Sequence, residues 1–321
     1  MLIPLLFLIV GLVLVVKGAD FLVNGASSLA KRLAIPEIVI GLTIVAFGTS
    51  APELVVNVFA SIGQKSELVL GNVIGSNVFN TLLILGIAGL IYPLEVQVNS
   101  VKKEIPFSIF ITVVFFVLAN DAFLFGSAAD RVSRFDGLIL LVLFGIFLYY
   151  TFGLSKIKPV NNGEVNEIKL YSILRTWIYI LLGFIGLFVG GKLVVDNAVK
   201  IAQVLKVSEK LIALTIVSMG TSLPELATSA VAAFKKRSDL AVGNVIGSNI
   251  FNLLFILGIS TEISPVRYIT AFNFDLLAFG TATLLLFIAM FTLKARKLDR
   301  WEAVILLAGY IYYMVTIISR K

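Results

Sequence analysis

Long apolar runs separated by short clusters of charge dominate the chain, and a bilayer's hydrocarbon core takes about 20 apolar helical residues to cross. Read between the charge clusters, the runs predict about ten helical spans, near 3–30, 37–62, 67–91, 104–120, 135–154, 172–204, 209–234, 239–260, 268–292 and 299–319. The clearly polar connector, SKIKPVNNGEVNEIKL at 155–170, follows the fifth span. It divides the chain into halves 1–154 and 172–321, joined by 155–171. No small-residue cleavage site follows the opening run from Leu2 to Val16, which therefore reads as part of a retained span.

Two spans break the apolar pattern. The second contains VAFGTSAPELVVN (45–57) and the seventh VSMGTSLPELATS (217–229). A shift of 172 residues superimposes them, and also lays GNVIGSNVFNTLLILG (71–86) on GNVIGSNIFNLLFILG (243–258). Between 41 and 86, 26 of 46 positions are identical, and the matches include the polar, Gly and Pro residues that shared apolar composition does not explain. Five spans separate each element from its copy, and an odd number reverses its direction. The expected fold is an all-α polytopic membrane protein whose ten transmembrane helices form two inverted five-helix repeats, with the duplicated cores at about 37–91 and 209–260.

The interrupted spans have a chemical logic. Pro52 and Pro224 lack a backbone donor and clash with the preceding turn, while Gly48 and Gly220 loosen it, so each helix should break there and free carbonyls. Irregular backbone at membrane depth is tolerated where it lines a polar cavity. Thr49 and Ser50, with Thr221 and Ser222, lie on the broken turns, and Glu53 and Glu225 follow. A charged side chain at the bilayer centre costs about 3 kcal/mol on insertion scales, so two carboxylates imply a compensating cation. Ser76 and Asn80, like Ser248 and Asn252, are four apart and share a helix face. Carboxylates, hydroxyls, amides and freed carbonyls form a hard oxygen site, suited to Ca2+ and Na+ and poorly matched to Zn2+ or copper.

Composition agrees: 59% of residues are hydrophobic, 14% are charged and mean hydropathy is +1.03. Cysteine and histidine are absent, which removes thiolate and imidazole ligands. The net charge of +7 sits in short connectors and points to membrane topology, with no nucleic-acid partner expected. Alternate connectors carry fifteen and nine basic residues, which places the 155–170 connector in the cytoplasm and both termini outside, in the cell's cytoplasmic membrane. No phosphate-binding loop, zinc-binding histidine pair or nucleophile elbow marks an enzyme, and no cofactor or obligatory protein partner is expected.

With both duplicated motifs in order and spacing, the chain resembles the cation/calcium exchanger superfamily, in its prokaryotic sodium/calcium exchanger branch. The resemblance implies Ca2+ ligation by Glu53 and Glu225 with the carbonyls of Thr49 and Thr221. It also implies flanking Na+ sites using the carbonyls of Ala46 and Ser218 and the side chains of Ser50, Ser222, Ser76, Ser248 and Asn80, with Asn252 also lining the site. Potassium-dependent relatives and some archaeal exchangers carry Asp where Asn252 stands, so the amide argues against K+ co-transport.

Two glutamates are neutralised by one Ca2+, whereas an empty site would hold charge in low dielectric and resist crossing between states. The expected function is Na+/Ca2+ exchange by alternating access, and the resemblance favours three Na+ per Ca2+, which is electrogenic. The alternatives are a proton-coupled or K+-dependent Ca2+ antiporter and, further off, a cation channel or a non-transporting scaffold. Lys17 with Asp20 and Lys192 with Asp196 read as interfacial or locally paired charges. Gly11, Gly18 and Gly25, with Gly183 and Gly190, form glycine faces that either pack closely or let two helices slide across the core. Asp275 finds no explanation in the sequence.

Overall fold

In a computed structural model, residues 2–98, 100–121, 130–154, 168–205, 218–292 and 296–319 are described. Among these described residues seven helices are long and apolar enough to cross a membrane. An eighth span is a bent pair, α2 (Glu37–Thr49) and α3 (Ala51–Ile62), with 48° between its segments. The seven are α1 (Leu2–Leu33), α4 (Ser66–Ile91), α6 (Arg134–Leu154), α7 (Ile173–Val204), α9 (Ser238–Ile263), α10 (Phe272–Ala289) and α11 (Arg300–Ser319). Where a span is expected at 104–120 stands α5 (Ile105–Ala119), a 15-residue helix entered through a π-helical turn at Ser100–Glu104 and shorter than the spans just named. Of the span expected at 209–234, residues 206–217 lie outside the described set; the rest is a short turn, Ser218–Gly220, and α8 (Leu223–Phe234).

The two helices carrying GNVIGSN are central. In their most apolar windows 94% of α9 and 72% of α4 is buried, against 28–33% in α1, α6, α7, α10 and α11. The outer helices turn large side chains outward, among them Phe135, Tyr149 and Tyr312, as helices facing lipid must.

The glycine faces of α1 and α7 meet each other. A Cβ on Gly18 would lie 2.7 Å from the Leu187 nitrogen, and one on Gly190 2.7 Å from the Val15 nitrogen, so the two backbones are in direct contact. Small residues permit such contact where no hydrophobic effect drives helices together. α7 also reaches both interrupted spans, for a Cβ on Gly48 would strike the Phe184 ring and one on Gly220 a methyl of Val195.

Asp20 does not pair with Lys17. Its carboxylate meets Lys235, at the end of α8, at 2.6 Å, and the same ammonium donates to the Asn24 amide oxygen at 2.7 Å. Helical spacing identified a candidate neighbour, but a long lysine from another helix fills the place. Among the described residues Lys192 and Asp196 form no ion pair. Asp275 accepts a hydrogen bond from the Tyr313 hydroxyl at 2.8 Å, tying α10 to α11.

Connectors from the two halves also join. The two-residue strands β1 (Leu94–Glu95) and β4 (Lys297–Leu298) pair antiparallel, as do β2 (Arg131–Val132) and β3 (Val266–Arg267). Lys31 and Arg32 donate to the carbonyls of Ile168 and Tyr171, and Ser66 accepts from the Arg267 backbone.

Candidate cation site

The site begins at the break. Ser50 (φ −85°, ψ 8°) and Ser222 (φ −89°, ψ 8°) leave the helical region at equivalent points, two residues before Pro52 and Pro224. Proline fits the first turn of a helix, where its missing donor has no partner to lose. The sequence predicts a break here that frees several carbonyls. Instead the Ser50 N–H still reaches the Ala46 carbonyl at 3.0 Å, and the Leu54 N–H the Ser50 carbonyl at 3.2 Å. Among the described residues, no backbone hydrogen bond bridging the breaks ends on the Thr49 or Thr221 carbonyl. The Ala46 carbonyl accepts from Ser50 and lies 3.3 Å from the Thr49 hydroxyl oxygen. Ser218 begins the short turn before the second break.

Past each break stands a buried glutamate, Glu53 at 1% and Glu225 at 0% exposure. The contacts cross between halves. Ser50 donates to Glu225 Oε1 at 2.7 Å, and Ser222 to Glu53 Oε1 at 2.9 Å. Ser222 also lies 3.2 Å from the Ser76 hydroxyl, and Ser248 donates to Glu225 Oε1 at 3.5 Å. Each carboxylate therefore has one oxygen held by hydroxyls. The other, Oε2, is buried in both glutamates and has no hydrogen-bond partner.

Asn80 and Asn252 complete the pattern. Both are 1% exposed, both use the amide nitrogen in a hydrogen bond across the halves, and both keep a buried Oδ1 without a partner. They lie on equivalent π-helical turns, Phe79–Ile84 in α4 and Phe251–Ile256 in α9; such turns are frequent at functional sites. Four orphaned oxygens, two from each half, are all acceptors. Such atoms are costly to bury unless something donates to them or is coordinated by them. No cationic side chain does so, since the ion pairs among the described residues are Lys235 with Asp20 and Lys297 with Glu95. Nor do three acidic side chains converge among the described residues, so a cation here would meet two carboxylates and otherwise neutral oxygens.

The sequence reading missed the supports. Asn72 donates to the Asn57 amide oxygen at 3.0 Å and to the Glu53 carbonyl at 3.4 Å; its counterpart Asn244 donates to the Ser229 hydroxyl at 2.9 Å and the Glu225 carbonyl at 3.3 Å. The Thr49 hydroxyl donates to Asn244 Oδ1 at 3.1 Å and that of Thr221 to Asn72 Oδ1 at 3.5 Å. These threonines thus fasten each break to the other half's central helix. The signal was present, since Asn72 and Asn244 are matched by the 172-residue shift.

A helical integral membrane protein with two uncompensated carboxylates at the meeting of duplicated broken helices belongs with the ion transporters. More particularly, the chain belongs to the family described as sodium/calcium exchanger protein, whose profile matches residues 3–153 and 175–319. Among its relatives, CaxA of Alkalimonas amylolytica is 38% identical over 99% of this chain and 100% of its own length. The sodium/calcium exchanger MaX1 of Methanosarcina acetivorans is 32% identical over 97% of each. A solved structure of the sodium-calcium exchanger NCX_Mj, soaked with 10 mM Na+ and zero Ca2+, superimposes with a TM-score of 0.84 at 32% identity, covering 100% of both chains.

Proposed function

We propose that this protein is a secondary transporter exchanging Na+ for Ca2+ by alternating access, with Glu53 and Glu225 as the principal Ca2+ ligands. The observation that carries the reading is the set of four buried, unpartnered oxygens, Oε2 of both glutamates and Oδ1 of Asn80 and Asn252. Hard cations suit all four as ligands, and one Ca2+ neutralises the two carboxylates. The carbonyls of Thr49 and Thr221 are further Ca2+ ligands in this reading. Ala46, Ser50, Ser76, Ser218, Ser222 and Ser248 contribute oxygens to flanking Na+ positions. The exchanger names of MaX1 and NCX_Mj support the same ions. Three Na+ for one Ca2+ moves one net charge per cycle and makes transport electrogenic. Proton coupling needs only the carboxylates and leaves the two buried amide oxygens without a role.

Ten spans in two inverted halves accord with the way the connectors meet. The paired strands and the contacts of Lys31 and Arg32 with 168–171 all join segments that such a count puts on one side. With the basic excess inside, the 155–171 connector is cytoplasmic, both termini are external, and the protein resides in the cell membrane. In this chain without native cysteine, a cysteine at Asn162 should resist an impermeant thiol reagent in sealed right-side-out cells; labelling there would reverse the orientation.

Transport itself is tested by Ca2+ uptake into proteoliposomes loaded with Na+. Because Asn252 is a neutral amide and brings no charge to hold a further monovalent cation, uptake should be unchanged when K+ is replaced by an inert cation at clamped membrane potential. A requirement for K+ would overturn the reading of Asn252.

A further inference from the structure

We infer that Thr81 is a positioning residue that acts through Asn249 to turn the amide oxygen of Asn80 toward the transported cation. The inference rests on the cation-site reading above.

An asparagine beside a cation can present either its oxygen or its NH2 group, and the two ends are nearly the same size. Only the oxygen can ligate. The surrounding hydrogen bonds decide between them, and two backbone carbonyls, which can only accept, fix the network. The Thr81 hydroxyl gives its single proton to the Asn77 carbonyl at 2.9 Å. Toward any other neighbour its oxygen must therefore accept. Asn249 Nδ2 lies 2.8 Å from that oxygen and donates to it, which leaves Asn249 Oδ1 facing Asn80. Asn80 answers with its NH2 group at 3.1 Å, and its own Oδ1 is the end left for the site, buried and unpartnered.

The second half reaches the same end by a shorter route. Asn77 Nδ2 donates to the Asn249 carbonyl at 3.2 Å, so Asn77 Oδ1 faces Asn252, which donates to it at 3.1 Å and keeps its own Oδ1 buried and unpartnered. Here the backbone carbonyl orients the first amide directly. In the first half that role falls to a side chain, and the residue 172 positions after Thr81 is Leu253, which has no hydroxyl to offer. Thr81 is 1% exposed, so water does not replace it freely. Without the hydroxyl, Asn249 loses its acceptor and is free to turn. Asn80 can then follow and aim NH2 at the cation. The duplicated sequence thus conceals an asymmetry: one site amide is oriented by backbone, the other by a threonine.

The test is Ca2+-dependent thermal stabilisation of the purified full-length protein, measured without transport. Thr81→Val keeps the shape and removes the hydroxyl; it should raise the Ca2+ concentration for half-maximal stabilisation about tenfold or more, the scale on which loss of a ligand-orienting hydrogen bond acts. Thr81→Ser should restore the unmutated midpoint. In an Asn80→Ala background, where no amide remains to be turned, adding Thr81→Val should move the midpoint no further. A purely structural threonine would lower the melting temperature without Ca2+ and leave the Ca2+ midpoint in place, which overturns the inference. Should Thr81→Val not fold, Asn249→Ala removes the same clamp, and an unchanged midpoint there is equally fatal. Absence of stabilisation of the unmutated protein by Ca2+ would instead remove the cation-site reading on which the role depends.

Discussion

Glu53→Gln and Glu225→Gln are each expected to abolish Na+-driven Ca2+ uptake while the protein still inserts and purifies. Glutamine can still accept from Ser222 or Ser50 through Oε1, so the bonds at 2.9 and 2.7 Å that hold each side chain survive. The other end changes. Where each carboxylate has an unpartnered Oε2, the amide places NH2, which repels a cation, and the negative charge of the pair falls by half. Removing a carboxylate that faces a buried cation costs about 3–5 kcal/mol, as for a broken buried ion pair, a loss on the order of a hundredfold or more in cation affinity. Because the contacts cross between halves, the two substitutions should be about equally damaging. Uptake by either variant within twofold of the unmutated rate would remove Glu53 and Glu225 from the site.

Gly18→Val should be nearly as severe, by a different cause. The added Cβ would stand 2.7 Å from the Leu187 nitrogen and 2.9 Å from the Gly183 oxygen and the Gly186 carbonyl carbon, all backbone atoms that no rotamer can move aside. α1 and α7 must separate, and the seam that also includes Gly11 with Gly190 must open with them. Overpacking of this kind costs about 1–3 kcal/mol. Both loss of uptake and a lower melting temperature in detergent are therefore expected. The control is Gly191→Ala on the same α7, where a Cβ would meet nothing within 4 Å and neither quantity should move. Equal tolerance of Gly18→Val would show that the seam does not hold the two helices together.

Much of this was legible in the sequence because the membrane constrains it so strongly. A proline and a glutamate inside an apolar run have few explanations, and their duplication with Ser76, Asn80, Ser248 and Asn252 marked both halves of one site. Helical spacing shows which residues share a face, but it does not show which faces meet. That is why the sequence does not reveal the crossing of Ser50 to Glu225 and of Ser222 to Glu53, and why spacing offers Asp20 only an interfacial place or a local partner when Lys235, 215 residues away, holds it. Nothing in the composition of Phe79–Ile84 or Phe251–Ile256 distinguishes a π-helical turn from an ordinary one. The break was foreseen from Pro52 but not its economy. A single residue, Ser50, bends the span while the backbone ladder continues on either side.

The most direct test of Na+/Ca2+ exchange sets one gradient against another in the same proteoliposomes. An outward Na+ gradient should drive Ca2+ uptake, and dissipating it with a Na+ ionophore should stop uptake. A proton gradient of equal size imposed without Na+ should drive none. Ca2+ uptake that follows the proton gradient and ignores Na+ would contradict the assignment.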